Sequence, residues 1–84
     1  MENIEIKVPK TEDVDSFTVI FWHYQEGDMV ARGEDILELA TEKTTFNITA
    51  PSSGRLITLK YPEGSVVKPG DLIAVLEKSE VKDE

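Results

Sequence analysis

The chain begins with an alternation. Ile4, Ile6 and Val8 are spaced by Glu5 and Lys7, the two-residue period of a strand with one buried face, and Pro9 ends the run. Thr18 to Tyr24 and Thr44 to Thr49 are rich in β-branched and aromatic residues, which suit a pleated, half-buried surface. From Arg55 to Tyr61, Leu56, Thr58 and Lys60 alternate with Ile57, Leu59 and Tyr61. Gly27, Gly33, Gly54, Gly64 and Gly70 punctuate these runs, and Pro69-Gly70 reads as a type II turn. Asp35 to Lys43 pulls both ways, because its good helix formers would allow a helix on propensity alone.

Internal repetition resolves that conflict. A shift of 37 residues lays Ile20 on Ile57, Tyr24 on Tyr61, Glu26-Gly27 on Glu63-Gly64, Val30 on Val67, Gly33 on Gly70, Ile36 on Ile73 and Leu39 on Leu76. The ambiguous segment is thereby equated with Asp71 to Glu80, which follows Pro-Gly directly and carries Leu-Ile-Ala-Val-Leu, a strand-like run. Both are read as strands. Seven or eight short strands follow, with no long helix, in two similar halves that cannot each bury an apolar face alone. The fold class is all-β, a small sandwich or flattened barrel with internal pseudo-two-fold symmetry. Upstream the register changes, since Val8-Pro9 matches Ala50-Pro51 at a shift of 42. About five surplus residues therefore fall in the polar stretch from Lys10 to Ser16 of the first half, where an insertion maps to a surface loop.

Size and charge narrow the function. Eighty-four residues make one small domain with a thin core, which argues against a deep substrate pocket and an independent enzyme. Nine Lys and Arg stand against seventeen Asp and Glu, a net charge of −8. Eleven acids and three bases lie in residues 1–42, whereas residues 43–84 hold six of each. An anion without a basic stripe disfavours nucleic acid and anionic membrane surfaces as partners. With no cysteine there is no disulfide, thiolate metal site or thiol nucleophile. No apolar run reaches the 18 or more residues of a membrane span, and Met1-Glu2-Asn3 does not open a secretory signal, so a cytoplasmic location is the expectation.

One lysine acquires a special place. If Ile36 to Thr41 and Thr45 to Ala50 are neighbouring antiparallel strands, Lys43 sits at or beside the tip of a tight hairpin. Strands on either side fix such a tip while leaving it accessible, the combination that attachment of a prosthetic group to an ε-amine requires. On position alone an inert exposed lysine is the commoner reading, since lysines at turns are frequent and mostly do nothing.

The run from Glu26 through Thr44, with Ala50-Pro51-Ser52-Ser53-Gly54, Glu63 to Asp71, Val8-Pro9 and Trp22, resembles the lipoyl (biotinyl/lipoyl carrier) domain family over about 75 residues. In that family a glycine precedes the modified lysine by ten residues and another follows by eleven, as Gly33, Lys43 and Gly54 do here. The resemblance implies a barrel-sandwich of two antiparallel sheets over residues 1–78, with 79–84 a charged tail or the start of a linker. It implies lipoate attached to Lys43, with Glu42 and Thr44 as flanking recognition residues. Lys43 would then be a swinging arm in a 2-oxo acid or acetoin dehydrogenase complex. The implied partners are a lipoate-protein ligase or lipoyl transferase, a thiamin-diphosphate-dependent decarboxylase, an acyltransferase core and dihydrolipoamide dehydrogenase. The domain itself would be monomeric, with no catalytic residue and no metal of its own.

The family usually has Asp-Lys-Ala at the tip, where this chain has Glu42-Lys43-Thr44; biotin carriers place Met on both sides of the lysine. Biotin on Lys43 and an unmodified binding module of the same fold remain the alternatives. In the family the inserted loop lies close to the lysine, so Glu12, Asp13 and Asp15 are candidate partner-recognition residues, with a solvated, solubilising surface as the plainer reading. His23, the only histidine, lacks a clustered partner for metal binding and reads as a partly exposed strand residue. The aromatic residues read as core or strand-face packing. The sequon Asn47-Ile48-Thr49 carries no weight without a secretory signal.

Overall fold

The computed structural model describes residues 2–11 and 13–79, and among these every regular element is a strand. In chain order they are β1 (Asn3–Lys7), β2 (Phe17–Trp22), β3 (Met29–Val30), β4 (Asp35–Ala40), β5 (Thr45–Thr49), β6 (Gly54–Leu59), β7 (Val66–Val67) and β8 (Leu72–Lys78). They form two four-stranded antiparallel sheets, β1-β8-β6-β3 and β5-β4-β2-β7. The segment that propensity alone could have made helical is β4, as its repeat partner required. The expected ends move slightly: Tyr24 and Tyr61 lie beyond β2 and β6 rather than within them.

The 37-residue repeat is visible in the pairing. It carries β2 onto β6, β3 onto β7 and β4 onto β8, so the two sheets have the same strand order with the halves exchanged. β3 of the first half pairs with β6 of the second, and β7 of the second pairs with β2 of the first. Neither half builds a sheet alone.

The repeat also sets the irregularities. Pairing steps over Ile20 in β2, Ile57 in β6, Ile36 in β4 and Ile73 in β8, four bulge positions related in pairs by the same shift. A bulge breaks the two-residue alternation. Ile36 and Leu37 therefore both point inward, as do Ile73 and Ala74, whereas Ile20 and Phe21 both face solvent. Phe21 is accordingly 49% exposed and, of the two settings expected for the aromatic residues, takes the strand face, meeting His23 edge to face at 5.1 Å.

The sheets enclose a core that includes Phe17, Val19, Leu39, Leu56, Val67 and Leu76. Phe17 meets Phe46 edge to face, with centroids 5.6 Å apart. At Gly54 β6 runs so close to β8 that a Cβ there would overlap the Glu77 carbonyl. The sandwich is long for its girth, at 39 × 22 × 17 Å. β5 leaves the β4–β5 hairpin and runs to Ala50 and Ser53, where the Ser53 carbonyl accepts the Ser79 N–H at 2.9 Å. The last described residue is thus at the opposite end of β5 from Lys43. The rest of the expected tail, residues 80–84, lies outside the described residues.

Candidate functional site

Lys43 occupies the apex of the β4–β5 hairpin. Ala40 pairs with Thr45, and the next pair, Thr41 and Thr44, closes a loop whose only intervening residues are Glu42 and Lys43. The Thr41 N–H donates to the Thr44 carbonyl at 2.8 Å. The other closing interactions run through the Thr41 hydroxyl. It accepts the Lys43 and Thr44 N–H groups, each at 3.1 Å, and donates to the Thr44 carbonyl at 3.2 Å. Glu42, Lys43 and Thr44 are all exposed, and Lys43 forms no ion pair with a described residue.

The inserted loop leans over this turn. Asp13, Asp15 and Ser16 line a concavity of about 240 Å³ together with Thr41, Glu42 and Lys43. Sharing Asp13, Val14, Thr41 and Lys43 with it is a more apolar groove of about 500 Å³, lined also by Pro9, Phe17 and Phe46 and reaching Thr44. Val14 pins the loop by packing against the core. Asp13 takes φ 68°, the one non-glycine in the left-handed region among the described residues, which Asp tolerates better than most. Of the residues expected around the lysine, the structure assembles Glu42, Thr44, Asp13 and Asp15. Glu12 lies outside the described residues.

Thr44 contributes chiefly backbone, since its carbonyl and N–H both engage Thr41, while its own hydroxyl donates to the Thr45 carbonyl at 3.3 Å. Thr41 is the residue that the sequence reasoning missed. The signal was present, as a threonine immediately before a tight reversal is a known way of bonding the next backbone amides. His23 is exposed just past β2, its Nε2 2.9 Å from Asn47 Oδ1. Trp22 is half-buried and donates Nε1–H to the Tyr61 carbonyl at 2.7 Å, bracing repeat-related segments. Away from the lysine, Glu34 Oε1 accepts the Ala31 N–H and the Tyr24 hydroxyl, each at 2.9 Å. Those bonds hold the Glu34 carboxyl below its ordinary range, and the same contact raises the Tyr24 hydroxyl above its own.

Comparisons agree with this architecture. The biotin/lipoyl family model, described as "Biotin-requiring enzyme", matches residues 4–76. Over 85 residues the chain is 34% identical to the dihydrolipoyllysine-residue succinyltransferase component of the 2-oxoglutarate dehydrogenase complex of Buchnera aphidicola subsp. Baizongia pistaciae; the match covers 100% of this chain and 21% of that protein. The dihydrolipoyllysine-residue acetyltransferase component of the acetoin cleaving system of Bacillus subtilis is 40% identical over 58 residues, 69% of this chain and 15% of its own length. The chain thus spans about a fifth or less of these relatives. The solution structure of the lipoyl domain of the 2-oxoglutarate dehydrogenase complex from Azotobacter vinelandii superposes with a TM-score of 0.76 at 32% identity, covering 89% of this chain and 96% of that one.

Proposed function

The chain belongs to the biotin/lipoyl carrier-domain family, as a lipoyl-type domain, and from that premise we propose that Lys43 is its attachment point and lipoate the group it takes. The observation that carries the reading is the display of Lys43, exposed at a two-residue apex held between two strands of a sandwich. A carrier lysine must enter one enzyme's active site after another. Exposure and the narrowness of the apex serve that requirement, and the strands behind it keep the body from following the arm.

The fit to the group is chemical as well as geometric. Lys43 Nζ has no described carboxylate to leave behind, so forming an amide there breaks no ion pair within the described domain. The groove beside it sets Pro9, Val14, Phe17 and Phe46 within its lining, apolar surface against which a short hydrocarbon chain can rest. Lipoate is favoured over biotin because neither Glu42 nor Thr44 is the methionine that biotin carriers place beside the lysine. Once attached, the group supplies a dithiolane able to take up an acyl group and electrons and to release them elsewhere. The protein's part is to hold the tether: one covalent bond gives each partner a high effective concentration of substrate without tight binding.

The partners in this reading are a lipoate-protein ligase or lipoyl transferase, a thiamin-diphosphate-dependent decarboxylase, an acyltransferase and dihydrolipoamide dehydrogenase, in a 2-oxo acid or acetoin dehydrogenase complex. Asp13, Asp15 and Glu42 share one concavity with Lys43 and give it a negative border. That border selects partners whose active-site mouths are positive, acting on encounter rate and specificity more than on affinity.

Incubation of the purified chain with lipoate, ATP and a lipoate-protein ligase tests the reading by intact mass. One added lipoyl group, absent in Lys43→Ala, is the expected result. Biotin uptake with a biotin ligase instead would replace lipoate with biotin, and uptake of neither would leave an unmodified binding module.

A further inference from the structure

We propose that Thr41 is a positioning residue for attachment: its hydroxyl fixes the direction in which Lys43 leaves the hairpin and so governs how well a modifying ligase takes the amine. The inference rests on the carrier reading of Lys43 and adds to it a residue that touches neither the amine nor the group it receives.

A two-residue hairpin makes strict demands on its backbone. The favoured turns close with two reciprocal backbone bonds and place one or both apex residues at positive φ, which is why Asn-Gly is common there. A lysine with its Cβ does not enter that region cheaply. Among the described residues, positive φ is confined to four glycines and Asp13, so neither Glu42 nor Lys43 adopts it. An apex of this kind does not match the twist of the strands that it joins. The backbone bond from Thr41 N–H to the Thr44 carbonyl is made, while the Thr44 N–H goes to the Thr41 hydroxyl.

That oxygen is used to capacity. A hydroxyl has one proton and two lone pairs, and here the proton goes to the Thr44 carbonyl while the lone pairs take the Lys43 and Thr44 N–H groups. Thr41 is half-buried and β-branched, so its χ1 is stiff. The Lys43 amide plane, and hence the Cα–Cβ direction, is tied to a rigid side chain at the end of β4. Three of the four-residue turns with a central glycine are also tied by a side chain, the carboxylate of Asp28, Glu34 or Asp71, but each of these takes the N–H of the turn's first residue and leaves the apex amide alone. A ligase that must align the amine with an activated acyl group is sensitive to this direction, because a misplacement of about 1 Å can cost as much as 100-fold in rate.

The test pairs Thr41→Val, which keeps the shape and removes the hydroxyl, with Thr41→Ser, which restores it. Thr41→Val is expected to lower kcat/KM for lipoylation by about tenfold and to speed amide hydrogen exchange at Lys43 and Thr44 by a similar factor. Exchange at Leu56 and Leu76 in the core should not change. Thr41→Ser should recover both effects to within about twofold. Acylation of Lys43 by a small amine-reactive ester should be equal in all three proteins, because exposure is unaltered; this separates misdirection from burial or unfolding. Thr41→Val lipoylated at the wild-type rate, or Thr41→Ser no better than Thr41→Val, would overturn the proposal. A wild-type chain that the ligase leaves unmodified would overturn the carrier reading and the recognition half of this inference with it. Unchanged exchange at Lys43 and Thr44 in Thr41→Val would overturn the turn-fixing half alone.

Discussion

The turn Lys68-Pro69-Gly70-Asp71 and the turn Thr41-Glu42-Lys43-Thr44 reverse the chain over the same number of residues by different means. In the first, Gly70 takes φ 88°, the Asp71 N–H donates to the Lys68 carbonyl at 3.0 Å, and the Asp71 carboxylate accepts the Lys68 N–H at 2.8 Å. This is the type II geometry that Pro-Gly favours, and three further turns of this chain repeat its central glycine at positive φ. In the second there is no glycine, and the hydroxyl of the first residue does what backbone freedom does elsewhere. A turn whose only task is to reverse the chain can give its apex to glycine. A turn that must present a reactive side chain cannot; its side-chain brace differs from the Asp71 carboxylate in binding the amides at and after the apex, Lys43 and Thr44, rather than that of the first residue.

Replacing Glu42-Lys43 by Asn-Gly breaks the comparison most severely, since it converts the lysine turn into the primed type that hairpins prefer. Modification should be lost completely, while stability stays within about 0.5 kcal/mol of wild type or rises. Intact mass and thermal unfolding together read both. Gly70→Ala makes the opposite change: attachment at Lys43 should continue at the wild-type rate, while the strain of a Cβ at positive φ costs about 1–2 kcal/mol. In a domain of this size that lowers Tm by roughly 4–16 °C, measurable by calorimetry.

The pseudo-two-fold body was legible from residues alone, because Ile20, Val30, Ile36 and Leu39 recur 37 positions later and the repeat overrode the helical propensity of Asp35 to Lys43. The exchange of β3 and β7 between halves was not, because nothing local specifies which of two equivalent edges a two-residue strand will join. The bulges were hidden in plain sight. Ile20 and Ile36 are legible as repeat identities, yet an alternation pattern cannot show that the pairing steps over them, and so it cannot say that Phe21 takes the strand face and not the core. At the site, the place of Lys43 at a hairpin apex was legible from the strand-like runs on either side, but its role came from the family resemblance. The placement of Asp13 and Asp15 beside it came from family resemblance and not from the residues, since a loop's path depends on contacts such as that of Val14 with the core. Thr41 was legible as a threonine before a tight reversal, but that its one hydroxyl makes three bonds is a matter of angles that the sequence does not carry.

Smaller effects sharpen the contrast further. The double substitution Asp13→Asn with Asp15→Asn should slow reductive acylation by the decarboxylase roughly three- to tenfold at low ionic strength, with the difference fading as salt rises, when initial rates are compared across a salt series. Attachment itself should be nearly unaffected if the ligase reads the turn and not the loop. The smallest effect concerns pH. The Glu34 carboxyl, held below its ordinary range by the Ala31 N–H and the Tyr24 hydroxyl, stabilises its turn at pH above the usual carboxylate value. That contribution is lost as pH falls through the depressed folded value, so Glu34→Gln should flatten the acid limb of the stability curve.

The account stands or falls on what the cell attaches to one amine. Tandem mass spectrometry of the protein isolated from its own cells should find a lipoyl amide on Lys43 and on no other lysine. A Lys43 recovered bare from cells in which other lipoylated proteins are fully modified, or one carrying biotin, would contradict it.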